Sequence, residues 1–240
     1  MIKAVFFDWF STLAHYDPPR EQLQAQVLRE LGFNVSLPVM QRALVLADKD
    51  LYAELAEISM RNRTPEERLQ VYIRHQQSIL SNAGITSSEE LAMRTMRRAR
   101  ELNASPRFVL FEDVLPTIKL VKERQLQTGL LSNIHRGIRD ICRGLGLEPY
   151  IDVIASSEEA GADKPDPAIF RFALEQIGVD PGEAIHVGDQ YLQDVIGARN
   201  VGITPVFIDR FDVSPEITDC ARIRELTELI EYLDQPVQGS

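Results

Sequence analysis

The sequence predicts an α/β protein: a parallel sheet with helices on both faces, interrupted after its first strand by an inserted all-helical domain. Three observations predict it. The opening run Ile2 to Phe7 is short, apolar and rich in β-branched and aromatic residues, the pattern of a strand buried on both faces. After Leu13 the periodicity becomes helical and stays so through residues 15–104, longer than a crossover between two strands requires. From about Ser105 strand and helix patterns alternate, the signature of a parallel sheet. The expected division is therefore 1–14 with 105–240 for the sheet, and 15–104 for the insertion.

Within the insertion, Asp17-Pro18 reads as a helix start, with Leu23, Val27, Leu28 and Leu31 on one stripe and Gly32 as the stop. Pro38 opens a second helix carrying Leu44, Ala47, Leu51, Leu55 and Ile58. Thr64-Pro65-Glu66-Glu67 is a capping box, in which hydroxyl and carboxylate satisfy reciprocal orphan amides ahead of Leu69, Tyr72, Ile73 and Leu80. Ser87 with Glu90 reads as another, before Leu91, Met96, Ala99 and Leu102. Four amphipathic helices with short connections make a small bundle. In the second half the expected order is helix Asp113–Arg124, strand Thr128–Ser132, helix Gly137–Gly146, strand Ile151–Ala155 and a helix opened by Asp166-Pro167 and ended by Gly178. Strands Ala184–Val187 and Pro205–Ile208 follow, with a helix Tyr191–Asn200 between them and a last helix Ile223–Leu233; Gln235–Ser240 reads as a frayed end.

Composition narrows the function classes. A formal net charge of −10 disfavours nucleic acid and anionic membrane surfaces, and the densest basic run, Arg94 to Arg100, reads as the solvated face of a helix. No apolar run approaches the ~18 residues needed to span a bilayer, and the amino terminus lacks a signal-peptide pattern. The two cysteines, Cys142 and Cys220, lie far apart with no companion metal ligands and read as thiols in a reducing compartment, so a cytoplasmic location is expected. The pattern carries no signal of oligomeric state.

Polar residues gather where such a sheet has its ligand-binding rim, the carboxyl ends of the strands. Asp8 follows the first strand, Ser132-Asn133 the next in the second half, Lys164 lies after the Ile151 strand, and Gly188-Asp189 with Asp194 follows the fourth. Individually each has a dull reading as a cap, a turn or a surface lysine; one site explains them together. Asp8, Asp189 and Asp194 crowded together would repel unless a cation sat among them, and an all-oxygen donor set suits Mg²⁺. Lys164 adds a fixed positive charge, and Ser132 with the Asn133 amide can donate to an oxyanion. Two cations facing a nucleophilic carboxylate suit phosphoryl transfer, with Asp8 forming an aspartyl-phosphate. Thr12 is placed to orient the Asp8 carboxylate.

Through Asp8-Trp9-Phe10-Ser11-Thr12-Leu13, Leu131-Ser132-Asn133, Lys164-Pro165-Asp166-Pro167 running into Ile169-Phe170, and Gly188-Asp189-Gln190-Tyr191-Leu192-Gln193-Asp194, the chain resembles the haloacid dehalogenase superfamily of hydrolases. The resemblance covers the whole length. It implies a Rossmann-like core, a mobile helical cap that excludes water and selects a small phosphorylated substrate, and Mg²⁺ held by Asp8, the main-chain carbonyl of Phe10 and Asp189, with Asp194 beside or behind them. One position departs from the phosphatase pattern: those enzymes usually carry an acid two residues after the nucleophile, where this chain has Phe10. Phe10 also suits the metal-independent 2-haloacid dehalogenases, which leave Asp189 and Asp194 hard to explain and rank second. Phosphonoacetaldehyde hydrolases use a cap lysine as a Schiff base, and Lys49 is the single lysine of the insertion, flanked by Asp48 and Asp50 as an exposed ion-pairing residue would be. A weakened enzyme that only binds a phosphorylated ligand is a further alternative. His15 and His135 are candidate substitute proton carriers; His186, inside a strand, reads as a packed core residue.

Overall fold

The computed structural model describes residues 1–133 and 137–234, and these divide into two compact units, residues 1–15 with 109–240 and residues 16–108. In chain order the elements are β1 (Ala4–Phe7), β2 (Ala14–Asp17), α1 (Arg20–Glu30), α2 (Leu37–Glu57), α3 (Pro65–Asn82), α4 (Glu89–Leu102), β3 (Arg107–Leu110), α5 (Val114–Glu123) and β4 (Gln127–Ser132). They continue with α6 (Ile138–Gly144), β5 (Val153–Ser156), α7 (Ser157–Ala160), α8 (Pro167–Ile177), β6 (Ala184–Gly188), a π-wound segment Tyr191–Ile196 running into α9 (Gly197–Asn200), β7 (Thr204–Ile208), β8 (Ala221–Ile223) and α10 (Glu228–Asp234).

The first unit holds a six-stranded sheet in the order β5-β4-β1-β6-β7-β8, parallel at each described pairing. All four residues of β1 are buried, as an apolar strand at the centre of a doubly covered sheet must be. Phe6 packs with Leu131 and Ala155 under Ile169, Phe170, Ala173 and Leu174 of α8. Its ring lies over Gly129, its register partner on β4, where a Cβ would come within 2.4 Å of it. From β1 the strand order runs outward through β4 and β5, and from β6 it runs the other way through β7 and β8, so the crevice at the carboxyl ends of β1 and β6 is the topological switch point. The expected α/β core with an inserted helical domain is what the chain forms.

The second unit is the helical bundle. Leu28, Met40, Leu44, Ala47, Ile73, Ile79, Leu80 and Ala92 form its core. Thr64 and Glu67 make the expected capping box, at 3.2 and 2.8 Å. The start of α4 differs: Ser88, not Ser87, accepts from the Leu91 amide at 3.1 Å, while Ser87 pairs with Ser81. Adjacent serines offer the same chemistry, and register alone decides between them. Asp17 does not cap α1; it ends β2, and its carboxylate accepts from Arg107 of β3 at 2.8 Å. Asp113 precedes α5 without capping it, because its carboxylate is taken by Arg210.

An ion cluster ties three helices of this unit together. Arg20 of α1 donates twice to Asp48 of α2, at 2.6 and 2.9 Å, and His75 Nε2 of α3 lies 2.9 Å from the same carboxylate. Burial works to raise the Asp48 carboxyl, but the guanidinium and the imidazole bond prevail and hold it at about 2. A depressed folded value contributes stability that is present above the unfolded carboxyl value and is lost as pH falls toward about 2. Asp48→Asn is therefore expected to cost on the order of 2 kcal/mol at pH 7 and progressively less below pH ~4, read by urea unfolding.

Candidate active site

β1 ends in Phe7, but its pairing with β6 continues one residue further: the Asp8 amide donates to the Val187 carbonyl at 2.8 Å. This fixes the Asp8 backbone at the rim. The chain then turns tightly, with the Leu13 and Ala14 amides both donating to the Trp9 carbonyl and Ser11 held at a φ of 63°. Arg210, from the segment after β7, pins this turn by donating to the Thr12 carbonyl at 2.7 and 3.1 Å. Its guanidinium also pairs with Asp113 and lies 4.0 Å from the centroid of Phe111. Thr12, expected to orient Asp8, makes no hydrogen bond to it through its hydroxyl. That hydroxyl is buried and has no hydrogen-bond partner among the described residues.

Lys164 reaches the rim from the loop after β5. Its side chain is 2% exposed, and Nζ donates to Asp8 Oδ1 at 2.5 Å and to Asp194 Oδ1 at 2.6 Å. Asn133 secures that loop: its Oδ1 accepts from the Lys164 amide at 2.7 Å, and its Nδ2 donates to the Lys164 carbonyl and to Gln193 Oε1. The Asn133 side chain is thus spent on holding Lys164 and Gln193. Ser132, 2% exposed, ends β4 beside it.

Asp194 lies in the π-wound segment, and all three of its neighbouring donors come from different places. Oδ1 receives Lys164 and His186, the latter at 2.9 Å, and Oδ2 receives the Gln190 amide at 2.9 Å. Asp189, directly after β6, accepts from the Gln190 side chain at 2.5 Å. One oxygen each of Asp8, Asp189 and Asp194 lies within 4.8 Å of the others. Gly188 makes this possible, since a Cβ there would stand 2.2 Å from Asp194 Cγ. Gly188→Ala must displace the Asp194 side chain, and is expected to cost about 1–3 kcal/mol on urea unfolding and to lower turnover sharply. Gly197 is similarly constrained by the Phe170 ring and by the Pro165 backbone.

The electrostatics follow from burial. At Asp8 burial outweighs everything else and pushes the carboxyl above its ordinary value, with Lys164 opposing and Asp194 adding to the rise. At Asp194 burial acts in the same sense, but Lys164 and His186 overcome it and hold the carboxyl well below the usual range. At Lys164 burial would favour the neutral amine, yet two carboxylates win and hold the ammonium above the ordinary lysine value. Three clustered carboxylates and one ammonium leave unbalanced negative charge in an all-oxygen cluster, the donor chemistry of a hard divalent cation.

The structure thus brings together Asp8, Lys164, Asp189 and Asp194, with Ser132 and Asn133 at the adjacent strand end. His186 is buried in β6 as the sequence suggests, and it also binds Asp194, which spacing alone did not indicate. Gln193 and Arg210 were likewise missed, because their partners, Asn133 for the first and Asp113 with the Thr12 carbonyl for the second, are distant in sequence. His15 lies in β2 with its ring 4.7 Å from Phe111, and Lys49 is half-buried on α2. His135 lies outside the described residues, as does the expected frayed end, 235–240. The expected tail helix Ile223–Leu233 is corrected: Ile223 closes β8, and the helix begins at Glu228. A three-residue strand is too short to show alternation.

A model of haloacid dehalogenase-like hydrolases matches residues 2–202. The chain belongs to this family. A haloacid dehalogenase-like hydrolase domain-containing protein 3 from Danio rerio is 40% identical over 103 residues, 43% of this chain and 43% of that protein. The chain thus spans less than half the length of that relative in the matched region. Phosphoserine phosphatase of Thermus thermophilus is 36% identical over 143 residues, 55% of this chain and 56% of the relative. Glyceraldehyde 3-phosphate phosphatase of Methanopyrus kandleri is 27% identical over 242 residues, 98% and 97% of the two chains. Among solved structures, the HAD-hydrolase YfnB of Bacillus subtilis, bound to magnesium, superposes with a TM-score of 0.62 at 21% identity, covering 98% of this chain and 99% of its own. A HAD phosphatase from Thermococcus onnurineus gives 0.59 at 23%, covering 97% and 98%. These two share the fold. No helix among the described residues is long and apolar enough to cross a membrane.

Proposed function

We propose that this family member is a Mg²⁺-dependent phosphatase acting on a small phosphorylated molecule through an aspartyl-phosphate at Asp8. The observation that carries the reading is the convergence of Asp8, Asp189 and Asp194 within 4.8 Å, with Lys164 bonded to two of them. Asp8, Asp189 and the Phe10 carbonyl would hold the ion, with Asp194 alongside; when bound, Mg²⁺ neutralises charge on the phosphoryl oxygens. Asp8 attacks phosphorus, the bond to the leaving oxygen breaks, and water later hydrolyses the aspartyl-phosphate to return Asp8 and phosphate. Lys164 supports the transferring oxygens by charge, and Ser132 with the Asn133 amide donates to them. The phosphatase relatives act, by their names, on small phosphomonoesters, which fits a small substrate here.

Phe10 favours one competing reading, the metal-independent 2-haloacid dehalogenase, whose chemistry needs no acid at that position. Against it stands the acid pair Asp189 and Asp194, which a metal-independent displacement leaves hard to explain. Phosphate release from p-nitrophenyl phosphate and chloride release from 2-chloropropionate, each with and without Mg²⁺, separate the two. Mg²⁺-dependent phosphate release is the expected result; chloride release indifferent to chelator would overturn the reading.

Phe10 carries a further prediction. General acid help is worth about 10²- to 10⁴-fold, so alkyl phosphates, whose leaving oxygen needs a proton, should turn over at least about 10²-fold more slowly than aryl or acyl phosphates. Phosphoserine, glyceraldehyde 3-phosphate and p-nitrophenyl phosphate make the comparison. Equal kcat values would mean that another group supplies the proton.

A further inference from the structure

His186 sits inside β6, between β1 and β7, and is fully buried. Its ring stands edge-on to Phe170 of α8, with centroids 5.4 Å apart and an interplanar angle of 89°. The centre of a buried parallel strand ordinarily takes an aliphatic side chain. An imidazole there brings two polar nitrogens that must find partners or go unsatisfied. One is satisfied: Nε2 lies 2.9 Å from Asp194 Oδ1, whereas Nδ1 has no partner among the described residues.

Asp194 decides which atom of that pair donates. The same Oδ1 accepts from Lys164 Nζ at 2.6 Å, and Oδ2 accepts from the Gln190 amide. A carboxylate receiving an ammonium and an amide is acceptor-only, so the hydrogen lies on His186 Nε2. Three donors therefore converge on Asp194. Only one of them, Lys164, also reaches Asp8.

We propose that His186 is a positioning residue of this site: its Nε2–H fixes the Asp194 carboxylate, which in turn holds Lys164 against Asp8. Without the imidazole, Asp194 Oδ1 is held by the ammonium alone, and the carboxylate can turn toward the acidic cluster and draw Lys164 with it. The T-shaped contact with Phe170 sets the ring plane, so the donor points at Asp194 before any ligand arrives. The kinetic consequence rests on the phosphatase reading; the hydrogen bond does not.

The test has two arms. Long-range ¹H–¹⁵N spectra of ¹⁵N-histidine-labelled wild-type protein report the tautomer of each of the four histidines. His186, assigned by its absence from His186→Gln, is expected as a slowly exchanging Nε2–H; an Nδ1–H form overturns the proposal whether or not the protein is a phosphatase. The second arm compares His186→Leu, which fills the space without a donor, with His186→Gln, whose carboxamide can donate. Leucine is expected to lower kcat on p-nitrophenyl phosphate about 10- to 100-fold and weaken Mg²⁺ binding in calorimetry, with glutamine recovering about tenfold of the lost kcat. Equal losses in both variants would reduce His186 to packing and overturn the proposal. Should wild type release no phosphate, the function reading falls, while calorimetry and the tautomer still decide His186. Should His186→Leu not fold, the tautomer decides alone.

Discussion

Asp8→Asn is expected to lower phosphate release by at least about 10⁴-fold, the loss seen when a nucleophile is removed, while leaving the chain folded. Asparagine keeps the shape of the side chain, and its carbonyl oxygen can still accept from Lys164 Nζ, which holds Asp8 Oδ1 at 2.5 Å. The variant should also be no less stable than wild type at pH 7. Burial raises the Asp8 carboxyl in the folded chain, with Lys164 offsetting only part of the rise. A group whose folded value lies above its unfolded one contributes stability that is present below the unfolded value and lost as pH rises through the folded one. Burial therefore works against the ionised carboxylate in the folded chain, so replacing it by an amide removes that cost. Urea unfolding in chelator, alongside p-nitrophenyl phosphate turnover, checks both parts. A fall in stability above about 1 kcal/mol would mean that Asp8 holds Lys164 in place more than burial costs it. Residual turnover within about tenfold of wild type would remove Asp8 as the nucleophile.

The sequence makes legible what depends on periodicity and on strand ends. β1, β4, β5, β6 and β7 were readable because an apolar strand buried on both faces leaves a continuous run, and the four polar clusters follow directly from where those runs stop. β2, β3 and β8 were not readable. β2 is Ala14-His15-Tyr16-Asp17, half-exposed and without a hydrophobic run, and β3 is exposed at Arg107. The π winding at Tyr191–Ile196 is also invisible to a helical pattern, since the residues that it buries, Gln193, Asp194 and Val195, are adjacent rather than periodic. At the site, the residues that meet as opposite charges were legible, as carboxylates and a lysine at neighbouring strand ends. What holds them was not: Asn133 on the Lys164 backbone, Arg210 on the Thr12 carbonyl and His186 on Asp194 depend on contacts between distant segments. Thr12 shows the converse, a hydroxyl close in sequence to Asp8 that has no hydrogen-bond partner among the described residues.

Lys164→Met is expected to have the largest combined effect. It leaves Asp8 and Asp194 buried beside each other without the ammonium that each accepts from. Removing one partner of a buried pair typically costs about 3–5 kcal/mol, and here two carboxylates lose the same cation. The pH dependence has a definite sign. In wild type the raised Lys164 contributes stability that is present below its unfolded value and lost only as pH rises through its higher folded value. The depressed Asp194 contributes stability that is present above its unfolded value and lost in acid. Both contributions are therefore complete at pH 7. In the variant, burial raises both carboxyls with nothing to oppose it but His186 and backbone amides, so stability should fall as pH rises from about 4 to 8. The deficit against wild type is then greatest near neutrality and smallest near pH 4. Urea unfolding in chelator at the two pH values measures it. Turnover should fall by about 10²- to 10³-fold, the loss expected when one fixed charge that supports the transition state is removed. Mg²⁺ supplies the decisive comparison. If the ion binds the same carboxylates, it takes over part of the charge balance that Lys164 provided, and millimolar Mg²⁺ should raise the melting temperature of the variant by more than that of wild type. An equal rise in both would mean that the ion binds without relieving Asp8 and Asp194, and would move the metal away from the cluster on which the phosphatase reading rests.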